Sequence, residues 1–181
     1  MSAPLKRHPR FAAADEDLFV AAETEIGRVF AALSERGVSL VQPAESPEQF
    51  AAVFAARTGR RLRPADPDDH ADLVDALTGG DASLVKCDLG GVTPFTRRVL
   101  SAAAKIDRGQ TRSYQWLARQ IGMPRASRAV GNALSSNPLP IIIPCHRIVR
   151  GDGTLGGYAF GPRIKRSLLE AEGALHSLTA V

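Results

Sequence analysis

The stretch Ile141-Ile142-Ile143-Pro144-Cys145-His146-Arg147-Ile148-Val149 contains the most apolar run of the chain, followed at once by reactive side chains. The three isoleucines predict a buried strand, because the run is rich in β-branched residues and far too short to cross a membrane. Pro144 ends this strand. The sequence therefore places Cys145 and His146 where a rigid buried element turns.

The thiol of Cys145 is a candidate nucleophile. A thiol must lose its proton to react, and free cysteine has a pKa of about 8.5. An adjacent imidazole with a cation nearby, such as His146 beside Arg147, is the usual means of removing that proton. A lone cysteine is more often an inert core residue, but the neighbouring histidine favours a reactive thiol. Cys87 has no histidine near it in sequence and keeps the inert interpretation.

Three helices are predicted upstream of this stretch. They begin at Thr93-Pro94-Phe95, Ser113 and Arg125, and they end before Gly109, at Gly122 and at Asn137-Pro138. The last two are joined by a turn of about four residues that contains glycine, which makes them a helix-turn-helix candidate. Arg125 and Arg128 put positive charge on the second of these helices, where a nucleic-acid groove would lie.

The helix that begins at Arg125 has a face of small residues. This face holds Ala126, Ala129, Val130 and Ala133, with Gly131 close by. Small side chains permit close approach to the narrow minor groove of DNA. Packing of the alanines against a neighbouring helix is an equally compatible interpretation.

The first 91 residues predict an α+β half without catalytic features. Residues 1–17 are expected to be a flexible tail. The predicted elements are a β-hairpin that turns at Glu35-Arg36-Gly37, a helix capped by Ser46 and opened by Pro47, a short helix from about Asp69 to Leu77, and a strand at Leu84–Leu89.

Charge divides the chain near residue 91. The 181 residues are 44% hydrophobic and 23% charged, which is typical of a folded domain or two and excludes fibres, repeat arrays and disordered chains. Residues 1–91 hold 10 Lys and Arg against 15 Asp and Glu, a net charge of −5, and residues 92–181 hold 13 against 4, a net charge of +9. We therefore expect domains at 18–91 and 92–181, with a polyanion partner for the second. Uneven scatter of charge in an Arg-rich and Ala-rich sequence is the alternative.

The sequence also bears on location and metals. Two distant cysteines are too few for a disulfide framework and do not have metal-ligand spacing. The N-terminus has no apolar core typical of a secretory signal, and no segment reaches the roughly 20 apolar residues of a membrane span. We expect a cytoplasmic protein, nucleoid-associated if bacterial, with no metal site and no membrane partner.

Several of these segments together resemble the signature of the O6-alkylguanine-DNA alkyltransferases, also called methylated-DNA-protein-cysteine methyltransferases. The resemblance covers about residues 92–174 and rests on Thr93-Pro94-Phe95, Thr111–Tyr114, Arg128–Gly131, Asn137-Pro138, Ile143–Val149, Gly153–Tyr158 and Lys165–Gly173. It implies an α+β fold: an N-terminal ribonuclease-H-like α/β domain and a C-terminal, mostly helical domain with a helix-turn-helix.

The resemblance implies direct reversal of DNA damage. The alkyl group of O6-alkylguanine in double-stranded DNA would move to Cys145 after the nucleotide is rotated out through the minor groove. Each molecule would react once, without a metal, nucleotide or methyl-donor cofactor. We expect a monomer with no obligate protein partner. The alternatives are a non-catalytic lesion-binding protein, which would lack the nucleophile, and a Cys-His hydrolase, which would want a distant histidine.

The same resemblance assigns three groups of site residues. The catalytic group is Cys145 as nucleophile, His146 as base through a water, Glu172 as the carboxylate that orients it, and Asn137 across the turn to the cysteine strand. The DNA-binding group is Arg128, which fills the place of the base, Tyr114, which crowds the phosphate, Gln115 and Thr96, which hold the backbone, and Ala126 and Gly131. The base-pocket group is Tyr114, Gly156, Gly157, Tyr158, Ala159 and Lys165.

Two of these residues have simpler interpretations, and two positions depart from the family pattern. Asn137 fits a helix-ending Asn-Pro turn as well, and Lys165 fits a solvated helix position. Phe160 stands where glycine is common, which would narrow the pocket mouth, and Asp107 replaces a usual proline without evident effect.

Overall fold

The computed structural model describes residues 15–175, which form a mixed α+β structure. Its strands are β1 Glu16–Thr24, β2 Gly27–Ser34, β3 Gly37–Pro43, β4 Arg61–Pro64, β5 Arg112–Ser113 and β6 Ile148–Val149. Its α-helices are α1 Pro47–Thr58, α2 Ala71–Leu77, α3 Pro94–Ala103, α4 Tyr114–Gln120, α5 Ser127–Ser135 and α6 Gly161–Ala171. No helix in this range is long and apolar enough to span a bilayer.

The N-terminal half is a four-stranded sheet in the order β3-β2-β1-β4. The predicted hairpin is confirmed: β2 and β3 pair antiparallel across the turn that ends at Gly37, whose φ of +130° suits glycine. The predicted helix is confirmed as α1, where Ser46 accepts a hydrogen bond from the Gln49 amide. Phe50 and Phe54 of α1 are buried against the sheet, and Phe50 stacks on Phe30 at 5.3 Å.

The first strand begins earlier than the sequence predicts. Residues 1–14 of the expected tail lie outside the described range, whereas Glu16 and Asp17 are part of β1 and pair with β4. The carboxylate of Asp17 is 3% exposed and receives two hydrogen bonds from Arg60. A buried carboxylate needs such a partner, which holds this start of the strand in place.

The predicted strand at Leu84–Leu89 is wrong. The segment makes a single parallel bridge, between Cys87 and Val38, and Leu84 is 75% exposed. An apolar, partly β-branched run resembles a strand, but neighbouring strands must be within reach to pair with it. Here only one residue of β3 is within reach.

Three helices of the C-terminal half confirm the predicted caps and order. Thr93 and Ser113 cap α3 and α4, and each hydroxyl accepts a hydrogen bond from the backbone amide three residues ahead. The third helix, α5, begins at Ser127 rather than Arg125, after a turn that includes Gly122 at a φ of +72°. Residues 121–126 therefore connect α4 to α5.

The predicted strand at Ile141–Ile143 is also wrong. These residues form a turn between Pro140 and Pro144, closed by the hydrogen bond from the Ile143 amide to the Leu139 carbonyl. Ile141 has a φ of +76°, a left-handed conformation that a strand cannot contain. A buried turn and a buried strand can have the same apolar sequence. The reason is that burial selects apolar residues whether or not the backbone pairs with another strand.

The two halves share one buried core. The largest apolar cluster combines residues of the sheet, such as Leu18 and Val41, with residues of the helices, such as Leu100 and Val130. A hydrogen bond from the Val41 amide to the Pro138 carbonyl joins β3 to the segment after α5. That segment leads directly to Cys145, so the sheet supports the turn that carries the thiol.

Candidate active site

Cys145 opens a 3-10 turn, Cys145–Arg147, and is 6% exposed. Its amide donates to the Ile143 carbonyl at 2.7 Å. Immediately afterwards, β6 pairs in parallel with β5, which ends where α4 begins. This pairing brings Tyr114, the first residue of α4, near Cys145. The pKa of the Tyr114 hydroxyl is raised mainly by burial, and a charge on Cys145 raises it further.

The side chain of Asn137 holds the thiol from the end of α5. Its amide nitrogen donates to the sulfur of Cys145 at 3.2 Å and to the Ile143 carbonyl at 3.0 Å, while its oxygen accepts from the Leu139 amide. Both interpretations of Asn137 therefore apply at once. It closes the turn after the helix, and it contacts the sulfur.

The protonation state of Cys145 depends on its surroundings. Burial raises the pKa of the thiol, while the hydrogen bond from Asn137 and the charge of Lys165 oppose this rise. The net direction is upward, so the resting thiol is protonated near neutral pH. To act as a nucleophile, such a thiol would require a base.

His146 and Glu172 form a buried pair at the other end of the turn. The Nε2 atom of His146 lies 2.9 Å from a carboxylate oxygen of Glu172. Burial alone would raise the pKa of Glu172, but the hydrogen bonds and charges of His146 and Arg147 lower it to about 2. Burial lowers the pKa of His146 despite the attraction of Glu172. At neutral pH a neutral imidazole therefore faces an ionised carboxylate.

This pairing determines the tautomer of His146. An ionised carboxylate only accepts, so Nε2 must carry the proton and donate it to Glu172. Nδ1 is then the basic nitrogen, and it is buried without a hydrogen-bond partner among the described residues. A basic nitrogen of this kind is suited to take a proton from the Cys145 thiol, directly or through a water.

Arg147 has a function that sequence reasoning did not identify. Its guanidinium donates to both carboxylate oxygens of Glu172, at 2.9 and 2.7 Å, and to the Ile106 carbonyl at 2.6 Å. The sequence suggested Arg147 as a cation beside the imidazole, yet the structure binds it to the carboxylate. The two residues are separated by 25 positions, and no local pattern signals such a pair.

Lys165 is not a solvated helix residue, because its side chain is fully buried. Its ammonium donates to the Ile148 carbonyl and to the Gly157 carbonyl, the latter at 3.2 Å. Burial lowers the pKa of Lys165 to about 8. The lysine thus ties α6 to β6 and to the loop that follows it.

The predicted base-pocket loop lies over this arrangement. The ring of Tyr158 packs edge-on against His146 at 6.3 Å and against Phe160 at 5.6 Å, and its hydroxyl is buried without a partner among residues 15–175. Gly157 and Ala159 are exposed. A Cβ at Gly156, where φ is +69°, would lie 3.0 Å from the Tyr114 hydroxyl.

The predicted DNA-binding residues separate into three kinds. Arg128 and Gln115 are exposed, Ala126 and Gly131 are half-buried, and Thr96 is buried at 8% exposure. The Thr96 hydroxyl accepts a hydrogen bond from Thr93 inside the cap of α3, so its position fits a structural contact better than a backbone contact with DNA. The small-residue face of α5 is also divided. Val130 and Ala133 belong to the core, whereas Ala126 and Ala129 reach the surface.

Comparison with known proteins identifies relatives of this chain. Residues 94–174 match the family described as 6-O-methylguanine DNA methyltransferase, DNA binding domain. A methylated-DNA-protein-cysteine methyltransferase of Salmonella typhimurium is 38% identical over 143 residues, which cover 77% of this chain and 84% of that protein. The bifunctional transcriptional activator/DNA repair enzyme Ada of Escherichia coli is 38% identical over 164 residues. The match covers 85% of this chain but only 45% of Ada, so the chain spans less than half the length of that relative.

A solved structure gives the same result for the fold. The crystal structure of Mycobacterium tuberculosis OGT in complex with DNA superposes with a TM-score of 0.69 at 32% identity. The superposition covers 88% of this chain and 94% of that one. Both halves of the present chain therefore contribute to the likeness.

Proposed function

The chain belongs to the family of methylated-DNA-protein-cysteine methyltransferases, and from this premise we propose that it transfers the alkyl group of O6-alkylguanine in duplex DNA to Cys145. One observation carries the proposal. The thiol of Cys145 contacts Asn137, and the next residue, His146, is a neutral imidazole oriented by Glu172. A buried thiol of raised pKa needs such a base, and an inert core cysteine does not.

The proposed reaction is a single displacement. His146 takes the proton of the thiol, and the sulfur attacks the alkyl carbon in line with the bond to O6. The sulfur-carbon bond forms as the carbon-O6 bond breaks, and the electron pair remains on guanine. The leaving guanine takes up a proton, which balances the one removed from the thiol. The Tyr114 hydroxyl beside the pocket loop is placed to donate a proton or a hydrogen bond to the ring.

Access to O6 requires that the nucleotide leave the base stack. We assign α4 and α5 to a helix-turn-helix in the C-terminal domain, which begins near residue 92, and residues 16–91 to a ribonuclease-H-like domain. Exposed Arg128 on α5 would enter the duplex and take the place of the rotated base, where a planar guanidinium can stack and form hydrogen bonds. Gln115, Ala126 and Gly131 would contact the surrounding backbone. Backbone amides of Gly156–Ala159 would face O6.

The product is a thioether on Cys145, and breaking its carbon-sulfur bond would need another strong nucleophile. We therefore propose one turnover per molecule, with DNA as the alkyl donor and no cofactor. Because the proposed substrate is cellular DNA, we place the protein in the cytoplasm. We propose that it acts as a monomer.

Intact-mass measurement tests this proposal. Incubation with duplex DNA that contains O6-methylguanine should add one methyl group per molecule, stoichiometrically, and Cys145→Ser should add none. Cys87→Ser is the matched control, because that half-buried thiol also has a pKa raised by burial but has no histidine near it in sequence. Tight binding to the lesion without a mass change would instead support a non-catalytic lesion-binding protein.

A further inference from the structure

Arg150 is an exposed arginine at the edge of the base-pocket loop. It opens a tight turn in which its amide donates to the Thr154 carbonyl at 2.8 Å and its carbonyl accepts from the Gly153 amide at 3.1 Å. Asp152 accepts two hydrogen bonds from Thr154 within this turn. The guanidinium of Arg150 itself has no hydrogen-bond partner within residues 15–175.

The aliphatic part of the Arg150 side chain and the hydroxyl of Tyr114 both lie beside Gly156. A Cβ built on Gly156 would lie 3.4 Å from Cγ of Arg150 and 3.0 Å from the Tyr114 hydroxyl. On the α5 side, a Cβ on Gly131 would lie 3.7 Å from the ring of the same tyrosine. The Tyr114 ring thus lies between α5 and the pocket loop, with its hydroxyl close against Gly156, and Arg150 flanks its hydroxyl end.

The charge of Arg150 acts on this edge of the pocket. Burial is the main cause of the raised pKa of Tyr114, and the positive charge of Arg150 opposes it. The same charge adds to burial in lowering the pKa of Lys165. Asp152 is the acidic group on the turn, and the charge of Arg150 helps to lower its pKa, but its hydrogen bonds come from Thr154. Among the residues that the structure describes, the donors of the guanidinium therefore remain unpaired beside the tyrosine.

We propose that Arg150 binds a phosphate that adjoins the rotated nucleotide, and thereby holds that nucleotide in the pocket. This inference rests on the proposed function and adds a contact residue to it. When a base enters the pocket past Tyr114, the sugar and phosphates attached to it remain at the pocket edge, where Arg150 lies. The planar, bidentate donors of arginine match phosphate oxygens. Arg128 would take the place of the base within the duplex, and Arg150 would bind the phosphate of the nucleotide that has rotated out.

The experiment compares Arg150→Gln and Arg150→Lys with Arg166→Gln, an exposed arginine of α6, as matched control. Transfer rates are measured with a duplex that contains O6-methylguanine and with free O6-benzylguanine, which has no phosphate. Arg150→Gln should lose roughly tenfold more rate on the duplex than on the free base. For this variant, a plot of the logarithm of duplex affinity against the logarithm of salt concentration should also be less steep, by about 0.9, which is the slope expected for one phosphate contact. Arg150→Lys should keep that slope.

Two outcomes would overturn the inference. An unchanged salt slope in Arg150→Gln would exclude a phosphate contact. Equal losses on the duplex and the free base would place Arg150 within the pocket chemistry instead. Failure of the proposed function is separate, since the unsubstituted protein would then take up no alkyl group from either substrate.

Discussion

The side-chain amide of Asn137 donates a hydrogen bond to the sulfur of Cys145 over 3.2 Å. Asn137 follows α5, the helix that carries Arg128, and the same amide bonds the Ile143 carbonyl one turn before the thiol. The end of the proposed DNA-binding helix and the nucleophile are therefore joined through one side chain. Any shift of α5 against the pocket would move the donor that favours the thiolate.

Replacement of Asn137 by alanine should slow alkyl transfer and weaken the fold. The substitution removes a donor that lowers the thiol pKa, and it leaves the Leu139 amide without its partner, while the Ile143 carbonyl keeps only the Cys145 amide. We expect a loss of about 1–3 kcal/mol in the free energy of unfolding. The rate with free O6-benzylguanine should fall at neutral pH and below, and the loss should shrink only as the pH rises through the raised pKa of the thiol. Urea unfolding and a pH-rate profile measure both effects. Asn132→Ala, an exposed position of α5, should change neither.

Protonation of Glu172 should destabilise the fold at acid pH. Its pKa in the folded protein, about 2, lies below the ordinary value of 4.5. The carboxylate therefore stabilises the fold above pH 4.5, and this contribution, about 3 kcal/mol, is lost as the pH falls from 4.5 towards 2. Glu172→Gln should lack this part of the acid transition, because a neutral amide does not titrate.

The control for Glu172 lies two residues earlier on the chain. Glu170 is exposed on α6, and Glu170→Gln should retain the acid transition of the unsubstituted protein. Denaturant unfolding at several pH values between 2 and 7 makes the comparison. Parallel curves for Glu172→Gln and the unsubstituted protein would contradict the assignment.

Arg128→Ala should separate DNA-dependent steps from the chemistry. The exposed side chain lies on α5 and contacts neither the thiol nor its base, so its loss should act on extrusion of the nucleotide. Repair of O6-methylguanine in duplex DNA should slow by tenfold or more relative to reaction with free O6-benzylguanine. Single-turnover assays on both substrates give this ratio, with exposed Arg163→Ala as control. Equal losses on both substrates would argue against a base-replacing role.

Gly156→Ala should damage the pocket while leaving most of the fold intact. The residue has a φ of +69°, which costs a non-glycine residue about 1–2 kcal/mol, and the new methyl group would press on the Tyr114 hydroxyl at 3.0 Å. We expect slower transfer from both the duplex and the free base. Gly151→Ala is the matched control, because a Cβ there meets no atom within 4 Å. If both variants react at the unsubstituted rate, the closeness of Gly156 to Tyr114 does not matter for function.

Local signals in the sequence predicted the elements whose causes are local. Ser46-Pro47, Thr93-Pro94 and Ser113 start helices because a hydroxyl cap acts within three residues. The turn at Gly37 was also predictable, because glycine tolerates the positive φ that this turn requires. The strands expected at Leu84–Leu89 and Ile141–Ile143 were wrong, because strand pairing depends on partners far away in the chain.

The sequence by itself determined the order of the helices, the position of the thiol beside an imidazole and the family to which the chain belongs. It could name Glu172 and Asn137 only through resemblance, since nothing local connects them with Cys145. Tertiary structure alone decided that Arg147 binds Glu172, that Lys165 is buried, and that Arg150 lies beside Tyr114. The physical reason is that pKa values and hydrogen bonds depend on distance and burial in space, and packing determines both after the local elements have formed.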